Sequence, residues 1–181
     1  MFLNLIIFFL LAETFIQVAK ADRCPTPQVE FVDLDKYAGV WYHYAQSSNK
    51  FENTGKYSKF EWSKPNEGGN STVIITEISK VTCEESKVPA IGYNEGDKVI
   101  NEVYVPIVGT IRTDPWVLAT DYENYSIFYA CKNVGDKQEI NAGIFTRSPC
   151  PYLNIFLIAK RVYDFYSIEM PKMIRVEQEC D

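Results

Sequence analysis

The chain has 181 residues and a formal charge of −6 at pH 7. With no basic cluster able to follow a line of phosphates, that balance excludes nucleic acid as the expected partner. The 12 Tyr, 11 Phe and 3 Trp suit either a filled core or a lined apolar cavity.

Residues 2–11 are all Phe, Leu and Ile except Asn4, and the triplet Ala19-Lys20-Ala21 precedes Asp22. An apolar run of this length followed by a small-x-small triplet reads as a secretory signal, since it is too short for a bilayer core of roughly 30 Å. Residues 1–21 are therefore expected to be removed, leaving residues 22–181 as one extracellular domain with a single core. No later segment is long and apolar enough for a membrane span. The five cysteines, Cys24, Cys83, Cys131, Cys150 and Cys180, follow the cleavage point, where disulfides are expected. The odd count leaves at least one thiol free or paired with another chain. Two sequons, at Asn70 and Asn124, fall in turn-like stretches and are expected to carry glycans.

Beyond the signal, short β-type runs are separated by turn residues. They cover residues 40–45, 57–62, 72–78, 88–93, 99–105, 116–120, 125–130 and 139–146. A dense turn signal, Lys64-Pro65-Asn66-Glu67-Gly68-Gly69-Asn70, joins the second run to the third. Asp121-Tyr122-Glu123-Asn124 and Asn133-Val134-Gly135-Asp136 close two hairpins. Eight antiparallel strands in series predict an up-and-down barrel or a sandwich. The period then changes once. Ile155, Ile158, Ala159, Val162 and Tyr166 recur at helical spacing within residues 152–166. That helix is expected to pack on the outside of the barrel.

Particular residues now carry a resemblance. Asp35-Lys36-Tyr37-Ala38-Gly39-Val40-Trp41-Tyr42 resembles the lipocalin signature in which Gly-x-Trp opens the first strand. Leu118-Ala119-Thr120-Asp121-Tyr122 resembles the family's Thr-Asp-Tyr turn, and Thr146-Arg147-Ser148 resembles the Arg that closes its eighth strand. The three occur in order and span nearly the whole mature chain. The resemblance implies an all-β, eight-stranded antiparallel barrel with one C-terminal helix outside. Gly39, Trp41, Thr120, Asp121, Tyr122 and Arg147 are then structural. An indole plugs one end of the barrel, a guanidinium stacks on it, and Asp121 accepts from turn N–H groups.

Cys24-Pro25, Tyr129-Ala130-Cys131 and the near-terminal Cys180 are most similar to the apolipoprotein D, Lazarillo and insecticyanin group. That likeness implies a bridge from Cys24 to Cys131, and a second from the C-terminal Cys to one at the start of the second strand. Tyr57 stands there instead. A hairpin centred near Glu67 and Gly68 would return Cys83 to the same corner, so a Cys83–Cys180 bridge is the expected substitute. Cys150 is then left over, or takes Cys83 or Cys180 as its own partner.

Strand alternation puts His43 and Ala45, Phe60 and Trp62, and Phe128 and Ala130 on the inner face as candidate ligand-binding residues. His43, the only histidine, could hydrogen-bond a pigment there; the plain alternative is a strand histidine with no role. One histidine with oxidised thiols does not make a metal or haem site. The expected function is secreted carriage of a small hydrophobic ligand, a bilin pigment or a lipid, without catalysis. No cofactor is required, though a bilin could be bound, and the oligomeric state is left open. Two other readings stand beside it: a cysteine-dependent isomerase using Cys150, and a protein-interaction scaffold using the loops at the barrel mouth.

Overall fold

The computed structural model describes residues 23–48 and 55–178. The expected signal at residues 1–21 and Cys180 lie outside the described residues.

A short helix, α1 (Leu34–Tyr37), leads into ten strands and a second helix. The strands are β1 (Gly39–Ser47), β2 (Gly55–Trp62), β3 (Ser71–Ser79), β4 (Glu85–Glu95), β5 (Lys98–Val105), β6 (Gly109–Thr113), β7 (Trp116–Thr120), β8 (Tyr125–Val134), β9 (Lys137–Thr146) and β10 (Met173–Arg175). The second helix, α2 (Ile155–Phe165), lies between β9 and β10. Every neighbouring pair is antiparallel, and β1 pairs with β9 to close the sheet on itself. β6 and β7 act as one barrel strand. Both pair with β5 in the same register, Asn101 with Thr113 and Lys98 with Trp116. Asp114 and Pro115 interrupt it, because proline has no N–H to give the ladder. The barrel is therefore eight-stranded. Sequence reading located each barrel strand but not the β6 half of the sixth, whose five residues alternate poorly, nor the three-residue β10.

Turn chemistry sets the ends. Asp121 Oδ1 accepts from the backbone N–H groups of Glu123, Asn124 and Tyr125 at 3.1, 2.7 and 3.0 Å, fixing the β7–β8 hairpin. Gly135, at φ +59°, makes the two-residue β8–β9 turn. Asn70 lies exposed in the β2–β3 turn, and Asn124 lies half-buried in the β7–β8 turn. Asn154 caps α2 by accepting from the Leu157 N–H at 3.2 Å. Ile155, Ala159 and Tyr163, one turn apart, bury the inner stripe of α2 against Leu118, Ile127, Tyr129, Ala142 and Ile144 on the barrel's outer face. Helix and sheet thus share one core outside the barrel, and a second core sits inside its lower half.

Two segments strap the barrel. The N-terminal strap starts at Cys24, bonded to Cys131 on β8, and runs to the closed end. At the other terminus, residues 173–178 fill a seam. β1 pairs with β2 only from Gly39 to Tyr42, and Ala45 to Ser47 pair with β10 instead. Val176 N–H donates to the Tyr44 carbonyl and Tyr57 N–H to the Glu177 carbonyl, at 3.0 and 2.8 Å. Gln178 Nε2 donates to the carbonyls of His43 and Ser58, one on each side of the seam.

The disulfide pattern departs from the expected Cys83–Cys180 bridge. Cys83 is free and exposed in the β3–β4 turn, so it is not the substitute partner of Cys180. Cys150 is disulfide-bonded, as in the alternative that gave it a cysteine partner of its own. The reason is placement: residues 80–84 form a solvent-facing turn beyond the end of β3, with Cys83 at φ +58°, and the thiol never returns to the β2 corner.

Candidate functional site

The closed end decides which end of the barrel can admit a ligand. Trp41 is fully buried, and its indole N–H donates to the Tyr37 carbonyl at 2.8 Å. The Tyr37 ring stacks on it at 4.9 Å and meets Trp62 edge-on at 5.3 Å. The Tyr37 hydroxyl donates to Ser126 Oγ at 2.9 Å, and burial pushes its pKa up to about 12, so it stays a phenol. The Arg147 guanidinium lies 3.8 Å from the Trp41 ring centroid. It donates to the carbonyls of Lys36, Tyr37, Ala38, Val40 and Tyr122. Gly39 sits at φ +104°, and a Cβ there would come 3.0 Å from Arg147 Nη1, so backbone shape and packing both call for glycine. Tyr122 meets the strap, its hydroxyl accepting from the Asp33 N–H at 3.1 Å. Thr120 Oγ1 donates to the Tyr125 carbonyl and accepts from the Tyr122 N–H.

Above this floor the barrel holds a cavity of about 500 Å³, within the ordinary range for small-molecule sites. Its deep wall is aromatic. His43 lies 6.1, 6.5 and 5.1 Å from the ring centroids of Phe60, Phe128 and Phe145. Phe145 in turn contacts Phe60 at 4.8 Å and Phe128 at 5.2 Å. Glycines make room for the large rings: a Cβ on Gly143 would fall 2.5 Å from Phe128, and one on Gly92 2.2 Å from Trp62. The upper wall carries Gln46, Ser58, Glu77, Asn101 and Asn141. A shallower hollow of about 560 Å³ lies outside the closed end, between residues 31–35 and the β2–β3 turn. It is open to solvent and carries no comparable aromatic wall, so the interior cavity is the candidate site.

His43 Nε2 is buried with no hydrogen-bond partner among the described residues. Loss of water pushes the ring's pKa down to about 4, which leaves the imidazole neutral at neutral pH. An unpartnered nitrogen facing a cavity is available to a ligand's polar group.

Of the six residues proposed from alternation, His43, Phe60, Trp62 and Phe128 line this cavity. Ala130 pairs with Asn141 near the open rim, on the inward side of β8, but is not part of the lining. Ala45 faces outward. In the β1–β9 pairing His43 opposes Phe145 and Ala45 opposes Ile144, so Tyr44 is an extra residue in β1. That bulge reverses the alternation, sending Tyr44 and Ala45 into the core under α2 and returning Gln46 to the cavity. Sequence reading missed Phe145, although a signal for it existed. The two-residue β8–β9 turn sets a register in which Phe145 faces Ser126 and Gly143 faces Phe128, all on the inner side. The isomerase reading loses its thiol, since Cys150 is disulfide-bonded and Cys83 does not line the cavity. Among the described residues no group of three or more His, Cys, Asp or Glu could hold a metal ion, and no helix is long and apolar enough to cross a membrane.

A closed eight-stranded antiparallel barrel, plugged at one end and aromatic-walled inside, defines the class of protein. Residues 38–178 match the model of the lipocalin / cytosolic fatty-acid binding protein family, and the chain belongs to that family. Apolipoprotein D of Oryctolagus cuniculus is 35% identical over 117 residues, covering 62% of this chain and 59% of that protein. Bilin-binding protein of Pieris brassicae is 30% identical over 138 residues, covering 74% of this chain and 71% of that protein. The chain thus spans less than two thirds of the apolipoprotein D it matches. The structure of insecticyanin from the tobacco hornworm Manduca sexta superposes with a TM-score of 0.73 at 26% identity, covering 87% of both chains. Lobster apocrustacyanin A1 gives 0.67 at 18% identity over 87% of this chain and 94% of that one, a likeness of fold alone.

Proposed function

We propose that the protein is a secreted carrier that holds one small hydrophobic ligand inside the barrel and catalyses nothing. The observation that carries this reading is the cavity of about 500 Å³, closed below by Trp41 and Arg147 and walled by Phe60, Phe128 and Phe145. Burying a ligand's apolar surface there contributes about 25 cal/mol per Å², and a few polar groups orient it. His43, with its unpartnered Nε2, is one of those groups, with Phe60, Trp62 and Phe128 holding the ligand's body. Relatives named bilin-binding protein and insecticyanin favour a bilin, and those named apolipoprotein D a lipid, as the cargo. Residues 1–21 act as the secretory signal, and the bridge between Cys24 and Cys131 suits an oxidising compartment. Asn70 and Asn124 are the expected glycan sites.

The test is an absorbance spectrum of the secreted protein, followed by native mass spectrometry. Visible bands with a matching bound mass establish a pigment carrier. A colourless protein carrying a lipid mass keeps the carrier and removes the bilin. An empty barrel that also refuses a panel of apolar molecules at micromolar concentration overturns the reading.

A further inference from the structure

The charge inside the cavity narrows what it can carry. Among the described lining residues there is no lysine or arginine and a single carboxylate, that of Glu77. Its place on the wall follows from register. Ile75 pairs with Phe60 and lines the cavity, and Glu77 lies two residues further toward the open end, roughly 7 Å along the strand. Opposite Glu77, β2 bulges: Lys56 pairs with Ile78 and Lys59 with Thr76, so Tyr57 and Ser58 together face one residue. Tyr57 takes φ +54° in that bulge, and Ser58 joins the lining.

The Glu77 carboxylate makes no hydrogen bond or ion pair with any described residue. On the flanking strands Lys59 and Lys87 sit across from Thr76 and are ion-paired with Glu61 and Glu85, while Lys56 sits across from Ile78 with its ammonium 5.0 Å from the Tyr57 ring centroid. The other two ionisable groups of the lining, His43 and Tyr37, are neutral at neutral pH. Among the described residues the cavity lining therefore presents one negative charge and no positive one, above a cluster of aromatic rings.

We propose that the cavity selects a hydrophobic amine, bound as its ammonium ion against Glu77, over a fatty-acid-like carboxylate. This rests on the carrier reading and refines it. A carboxylate ligand would lose its water, meet no cation and face a like charge. An ammonium on the same body gains a charge-assisted hydrogen bond from the moment it reaches the upper wall. Its apolar end then lies deep, among Phe60, Phe128 and Phe145, whose ring faces also favour a cation nearby. An aryl-alkyl monoamine matches this order of apolar floor and acidic rim.

The experiment titrates the mature protein at pH 7 with three probes sharing one body: naphthylethylamine, naphthylethanol and naphthaleneacetate. Tryptophan fluorescence and calorimetry report binding. The expected order is amine, then alcohol, then carboxylate, with at least about tenfold between the first and last. Glu77→Gln brings the amine down to the level of the alcohol and leaves the alcohol within about twofold. Glu61→Gln removes the same charge from the outer face of the neighbouring strand and changes neither, which separates the cavity charge from the net charge of the protein. A carboxylate that binds the native protein as tightly as the amine overturns the selectivity, and needs no variant to fold. So does an amine affinity that Glu77→Gln leaves unchanged. In both cases an alcohol that still binds keeps the carrier reading standing. If no probe and no member of the apolar panel binds, the carrier reading fails and the selectivity with it.

Discussion

The two ends of this barrel are made in opposite ways. At the closed end the polar groups of the plug have partners: Trp41 Nε1, the Tyr37 hydroxyl and all three nitrogens of the Arg147 guanidinium bond to fixed atoms. The apolar groups there, from Val32 to Val117, are almost wholly removed from solvent. Within the cavity and toward the open end, His43 Nε2 and the Glu77 carboxylate lack partners among the described residues, and apolar side chains such as Val81 and Ile107 stand in solvent at the turns. One end spends its chemistry on itself. The other leaves chemistry free for a guest, which is what a binding site requires of a fold that must also be stable.

Substitution at the closed end should therefore give the largest loss of stability. Trp41→Ala removes a fully buried indole and the surface on which Arg147 stacks, and should cost about 3–5 kcal/mol in denaturant unfolding. A loss below about 1 kcal/mol would mean that the floor does not depend on the indole. Gly143→Ala probes the boundary between the two regions. Its Cβ would fall 2.5 Å from the Phe128 ring, so the ring must swing into the cavity, at a cost of about 1–3 kcal/mol. Probe affinity should fall in the same variant; unchanged affinity would show that this wall does not touch the ligand.

His43 supplies a pH test. Its folded pKa of about 4 lies below the ordinary value of 6.5, so the unfolded chain binds the proton first as pH falls. The stability from keeping the ring neutral is fully present above pH 6.5 and is lost as pH falls toward 4, at about 1 kcal/mol per pH unit. His43→Phe should flatten that part of the curve, and a slope that persists in the variant assigns it to the carboxylates instead. The smallest effect is expected at the mouth. Ile107, fully exposed, holds φ +74°, a conformation unfavourable for a β-branched residue. Ile107→Gly should raise stability by about 0.5–1 kcal/mol without changing probe affinity, read from thermal unfolding and the same titration.

The closed end was also the legible one. Its motif residues carry local signals: a glycine before a tryptophan, an aspartate opening a four-residue turn, an arginine ending a strand. The cavity was legible in part. Phe60, Trp62 and Phe128 follow from alternation, and Phe145 could have followed from the two-residue turn at Gly135. Ala45 was misplaced because nothing in Tyr-His-Tyr-Ala announces that Tyr44 is a bulge. Cys83 was misassigned for a related reason, since a hairpin drawn from turn residues does not show how far the next turn projects from the barrel.

By itself, then, the sequence determined eight barrel strands, the outer helix, the plugged end and the family, because alternation, turn chemistry and short motifs act between residues close in the chain. Only the tertiary structure decided which side chains line the cavity, that Cys83 stays free and that Glu77 is the one charged side chain among the described lining residues. The direction of a side chain beyond a bulge is set by hydrogen bonds to a neighbouring strand, and whether a charge is paired depends on strands the local sequence does not contain.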